Sequence, residues 1–142
     1  MPDDPAEPDG GHSLRWPAGF SPECADVWAR SELVINAAPA VVFSYLATAG
    51  RWAEDFSGLH LDVQVIESVT GRRLAWSGQG IDISVYHAWV IAGNGGRSRV
   101  LAGWSGRGAA AIALRETDPA AAQRMLDRWV TDLKTAAENA RR

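Results

Sequence analysis

The strongest constraint on the fold is a pair of alternating runs on either side of Asn94-Gly95-Gly96. Before it, Val85, His87, Trp89 and Ile91 fall on one side, and Ser84, Tyr86, Ala88 and Val90 on the other. A period of two is the mark of a strand. Asn-Gly or Gly-Gly between two such runs is a tight hairpin, because its central residues need positive φ. We read strands over Ile81–Ala92 and Arg97–Trp104, the second presenting Val100, Ala102 and Trp104 on one face. Arg73–Gln79 precedes them, with Leu74 and Trp76 opposite Ala75 and Ser77. Only Gly80 intervenes before the next strand, so all three must run antiparallel.

Other elements follow from weaker patterns. Ser31–Asn36 is β-rich, and Leu59–Val69 alternates imperfectly before the turn at Thr70-Gly71. Pro39 suits a first helical position, and Val42, Phe43 and Leu46 make one face of a short helix ending near Ala47. Trp52 and Phe56, four apart, predict a second short helix closed by Gly58. Near the C-terminus, Asp118-Pro119 reads as a helix start, and Ala122, Leu126, Trp129, Leu133 and Ala136 or Ala137 form an apolar stripe. That helix would run about 23 residues, roughly 35 Å, enough to cross a sheet. Gly103–Glu116 is rich in Gly and Ala and shows no period.

The 142 residues suit one domain with its own core. Residues 1–14 are rich in Pro, Gly and Asp and predict a disordered tail; the domain proper spans 15–142. Within it, 15–30 is an extended lead-in carrying Trp16, Phe20, Val27 and Trp28. The net charge of −3, without runs of one sign, argues against a nucleic-acid partner. A single cysteine, Cys24, allows no internal disulfide and no thiolate metal cluster. With no signal-like start and no membrane-length apolar run, a cytoplasmic protein without membrane insertion is expected.

The order of these pieces resembles the helix-grip fold of the START-like (SRPBCC) superfamily, in particular its polyketide cyclase/dehydrase-like branch. The residues that carry the likeness are Ile35-Asn36-Ala37-Ala38-Pro39-Ala40-Val41-Val42-Phe43, Arg51-Trp52 and Gly71-Arg72-Arg73-Leu74-Ala75-Trp76. Further along come Tyr86-His87-Ala88-Trp89, Arg99-Val100, and Arg128-Trp129 through Leu133 and Glu138. Arg15-Trp16-Pro17 fits a lead-in found in some members. The resemblance implies an α+β fold, with an antiparallel sheet wrapped around a long C-terminal helix and two short helices after the first strand. It also implies an apolar pocket between sheet and helix. Two departures stand out. Residues 53–75 leave space for one strand where members usually have three, so the sheet should lack a hairpin. Ala102-Gly103 also replaces acidic residues common in that branch.

Under this reading Trp76, Trp89, Trp104, Trp129 and Leu133 line the site, with Trp52 and Phe56 at its mouth. The same tryptophans read equally well as core filling. The expected function is binding of an apolar, lipid-like or aromatic small molecule. A competing reading is a cyclase or dehydratase using His87 as acid/base, assisted by Tyr86 or Asp82. A third is a homodimeric interaction module pairing through exposed strand edges. No metal or cofactor is expected: the histidines lack ligand spacing, and Gly93–Gly96 lacks the Lys-Ser/Thr of a phosphate loop.

Overall fold

The computed structural model describes residues 13–48, 55–56 and 59–140. Alternation and tight turns dictate the main sheet. Strands β1 (Val27–Ile35), β4 (Asp62–Val69), β5 (Arg73–Gly80), β6 (Ile83–Asn94) and β7 (Arg97–Arg107) form five antiparallel strands in the order β1-β7-β6-β5-β4. Gly95 and Gly96 turn β6 into β7 with φ of 60° and 84°, the positive values their lack of a Cβ permits. Asp82 takes φ of 59° in the two-residue β5–β6 turn, a conformation that Asp tolerates better than most residues.

Between β1 and β4 lie helix α1 (Pro39–Thr48) and a minute hairpin of β2 (Asp55–Phe56) and β3 (Leu59–His60). The expectation of a single strand within residues 53–75 is therefore corrected: β2, β3 and β4 all lie there, the first two being so short that they pair only with each other, in a two-stranded sheet apart from the main one. The helix expected at Trp52–Phe56 ends in β2 instead, and residues 51–54 lie outside the described residues. Asp55 pairs with His60 and Phe56 with Leu59, so Phe56 belongs to a strand and not to a helix. The first strand begins at Val27, earlier than its β-rich run suggested, because Val27 and Ala29 point inward while Trp28 and Arg30 point out.

The unperiodic stretch after Trp104 resolves into the end of β7 and a helix, α2 (Ala109–Thr117). Asp26 accepts a 2.8 Å bond from the Gly108 N–H in front of it, and Arg115 donates to the Asp26 carbonyl at 3.0 Å. Asp118 is therefore the C-terminal cap of α2, its N–H bonded to the Leu114 carbonyl, and does not start the last helix. That helix, α3 (Ala121–Asn139), is 19 residues long. Its buried stripe is Ala122, Leu126, Val130, Leu133 and Ala137; Trp129 stands beside the stripe, half-buried.

One face of the sheet, the inner face, meets α3. There Ile35, Leu74, Trp76, Val85, Trp89, Val100 and Trp104 join Leu126, Val130 and Leu133 in a single core. Helix α3 also covers the β1 edge with polar side chains. Gln123 donates to the Arg30 carbonyl at 2.7 Å and accepts from its N–H at 3.4 Å. Lys134 donates to the Val34 carbonyl at 3.0 Å, and the Asn36 N–H donates to Glu138 at 2.8 Å. Backbone groups that would otherwise invite another strand are thus occupied. The opposite edge, β4, has no such cover among the described residues. It carries exposed Val65, Ile66 and Val69, and a register shift between Val65 and Glu67 breaks its regularity.

On the outer face, Ala75, Tyr86 and Ala88 are covered by Leu14, Trp16 and Phe20 of the lead-in. Trp16 meets the Tyr86 ring edge-on at 6.1 Å. The close approach depends on Gly103, since a Cβ there would sit 2.6 Å from Leu14 and 2.8 Å from Trp16. Ser13 is held too, its carbonyl accepting a 2.8 Å bond from buried Arg73. Ser13 and Leu14 are thus part of the domain and not of the tail their composition suggested; residues 1–12 lie outside the described residues.

Leu126→Ala should lower stability by about 3 kcal/mol, since it empties a fully buried position within the stripe. Gln123→Ala should cost about 1 kcal/mol. Urea unfolding of both variants checks the ratio; equal losses would contradict this packing.

Candidate functional site

Register brings the chemistry together. Trp76, His87 and Trp104 are direct cross-strand partners on β5, β6 and β7, so their side chains form one rung across the inner face. Trp89, two residues along β6, is on the same face. From above, Trp129 of α3 stacks on the His87 ring at 5.1 Å and 19°. Trp76 meets His87 edge-on at 4.8 Å, and Trp89 lies 5.2 Å away. His87 is thus enclosed on three sides by indoles.

The polar atoms of this cluster stand out. His87 is 0% exposed, and neither its Nδ1 nor its Nε2 is hydrogen-bonded to a protein group among the described residues. The same holds for the indole N–H groups of Trp76 and Trp89. Burying such groups unpaired costs about 1–3 kcal/mol each, so native cores rarely keep them without a purpose. Burial pushes the His87 pKa down to about 3, because a charged imidazolium has no solvent there. The ring is neutral at ordinary pH and offers one donor and one acceptor.

The residues expected to assist His87 are elsewhere. Tyr86 is its sequence neighbour and therefore points to the outer face, packed with Trp16 and Phe20. Burial there pushes its phenol pKa up, with nearby Glu67 adding to the effect and Arg73 opposing it. Asp82 occupies the β5–β6 turn, roughly 16 Å up the strand at 3.3 Å per residue. The rung therefore joins His87 to aromatic rings and not to a carboxylate. Leu133 is fully buried in the α3 stripe beneath the same face. Trp52 and the side chain of Phe56 lie outside the described residues. Sequence reasoning missed the missing hydrogen bonds, which only three-dimensional placement reveals.

Above β4 the inner face is more open. Val63 is half-buried against the core, and Val65, the partner of Trp76, is 58% exposed. Among the described residues, no group of three His, Cys, Asp or Glu side chains is placed to hold a metal, and no helix is long and apolar enough to cross a membrane.

A five-stranded antiparallel sheet gripped by a C-terminal helix, with an aromatic rung between them, defines a helix-grip fold. Solved structures agree. A hypothetical protein of Helicobacter pylori, jhp0584, superposes with a TM-score of 0.75 at 22% identity, covering 88% of this chain and 96% of that one. CV1439 of Chromobacterium violaceum gives 0.57 at 14% identity, covering 79% and 98%. DynU16, from the dynemicin biosynthetic locus, gives 0.51 at 14% identity, covering 79% of this chain and 46% of DynU16. At such identities the likeness establishes the fold. Neither a protein-family model nor a curated protein sequence matches the chain.

The neutral histidine yields a pH prediction. Its folded pKa of about 3 lies below the unfolded value of 6.5, so between these the unfolded chain binds a proton that the native state does not. Its contribution to stability is complete above about pH 6.5 and is lost as pH falls toward 3, by at most about 1.4 kcal/mol per unit. His87→Phe should remove this loss: the gap in unfolding free energy between variant and wild type should widen by about 2–3 kcal/mol from pH 7.5 to pH 4.5. Urea titrations at the two pH values measure it, and parallel curves would refute a buried neutral imidazole.

Proposed function

We propose that the chain is a START-like (SRPBCC) ligand-binding protein that takes a small, largely apolar molecule between the inner face and α3. The observation that carries this reading is the set of buried, unpaired polar atoms around His87 in an otherwise aromatic environment. Indole donors of Trp76 and Trp89 and a neutral imidazole suit a carbonyl or hydroxyl oxygen on an apolar skeleton. Trp129 is half-buried and stacked on His87, so rotating it away from α3 frees a ring-sized place over the imidazole. The flank above Val63 and Val65 gives a route in. The origin of DynU16 in a biosynthetic locus is in keeping with a small-molecule ligand.

Binding is favoured over turnover. Acid–base catalysis wants a histidine whose pKa lies near the working pH and a partner to orient it. His87 has a pKa of about 3, and Tyr86 and Asp82 do not reach it. A second reading, a homodimer formed through β4, rests on the exposed Val65, Ile66 and Val69 of that edge.

Native mass spectrometry of the purified protein, followed by denaturing extraction, tests both readings. The expected result is a released apolar molecule from wild type, with at least about tenfold less from His87→Phe, in keeping with the loss of one well-buried hydrogen bond. Wild type free of cargo, or equal cargo in the variant, would refute the site. A dimer abolished by Val65→Lys would support the second reading.

A further inference from the structure

A cleft lies on the opposite face of the sheet from the His87 cluster and shares no lining residue with it. It encloses about 260 Å³ between the lead-in and the outer surfaces of β1 and β7. Register explains its make-up. On the outer face Trp28 is paired with Ser105, Arg30 with Gly103 and Glu32 with Leu101, so an exposed indole and a guanidinium follow each other along β1 over a small, apolar floor. Gly103 has no side chain to fill that floor, and this same gap lets Leu14 and Trp16 descend to form the far wall. Arg99, paired with Val34, closes the other end.

The cleft therefore has two indoles on its walls, an apolar base at Leu101 and two guanidinium groups on one side. Trp28 is 48% exposed, so its indole face is open to the cleft and to solvent. The cations are not cancelled. Glu32 is the acid between them, ion-paired with the Arg99 Nε and 3.9 Å from Arg30, so one carboxylate faces two guanidiniums. Each guanidinium has five donors in a planar fork, and Glu32 engages only part of that set.

We propose that this cleft binds a small planar aromatic carboxylate, its ring between Trp16 and Trp28 and its carboxylate on Arg30 and Arg99. Flat rings suit indole walls, and a carboxylate matches the fork of arginine in both shape and charge. The volume is slightly below the usual range for drug-sized ligands, which limits the occupant to one or two fused rings. The excess positive charge rejects cations, and the shallow apolar base offers little to a long acyl chain.

Titration of indole-3-carboxylate, followed through the indole N–H resonances in a nitrogen-15 correlation spectrum and assigned with Trp28→Phe, tests the cleft. The resonances of Trp16 and Trp28 should shift together with a Kd of about 1 mM or below. The neutral indole-3-carboxamide, and the acid on Arg99→Gln or Arg30→Gln, should each bind about tenfold more weakly. Raising salt from about 50 to about 500 mM should weaken the acid and not the amide. His87→Phe should leave all of this unchanged, which separates this cleft from the inner site. Equal binding of acid and amide, undiminished binding to both arginine variants, or shifts confined to Trp76 and Trp89 would overturn the assignment. Displacement of the probe by a glutamate-rich hexapeptide at equal concentration would overturn it in favour of a peptide site.

Discussion

Burial of the α3 stripe against the sheet is the interaction on which the other features rest. Ala122, Leu126, Val130, Leu133 and Ala137 are all nearly or fully buried, and the inner face they cover would otherwise be an aromatic surface open to water. Hydrophobic burial of this kind is non-directional, so it fixes that the helix lies on the sheet but not where along it. Direction comes from the polar bonds of Gln123, Lys134 and Glu138 to the backbone of Arg30, Val34 and Asn36. These set the position of α3 against β1 and thereby place Trp129 over His87.

Within that arrangement the His87 rung is a local conflict between packing and hydrogen bonding. The rings around it fit well enough to exclude solvent, and for that reason its nitrogens cannot turn to water. A core selected for stability alone would carry a leucine or phenylalanine at the centre of such a cluster. Exceptions of this sort mark places where a structure is organised for something besides stability. The outer face shows a second compromise of the same kind: Arg73 is buried beneath the lead-in and bonded to the Ser13 carbonyl, while Trp28 stays half in solvent.

Much of this was legible in the chain, and the failures have physical causes. The β5–β6–β7 meander was readable because turn sterics and side-chain alternation are local, and Gly95-Gly96 and the odd positions of β6 admit few alternatives. The face shared by Trp76, His87, Trp89 and Trp104 followed from the same alternation. By contrast α2 begins in an alanine-rich run, where no apolar period distinguishes one helix face from another. Asp118-Pro119 has the chemistry of a helix start but serves as the joint between two helices, a matter of tertiary placement. Trp129 looked like a stripe residue because position 129 is within one residue of the true centre at Val130. Tyr86 could have been set aside from parity alone, whereas the lack of partners for His87 has no sequence signal at all.

The two borders of the sheet differ in a way that limits how copies of the chain can associate. On the β1 side, α3 supplies its own side chains to the donors and acceptors that a newcomer would need. Among the described residues β4 is the other border, and it carries exposed Val65, Ile66 and Val69. Pairing of strands between copies would therefore be one-sided: two copies meeting at β4 would each turn the α3-bonded border outward, which favours a closed pair over a continuing stack.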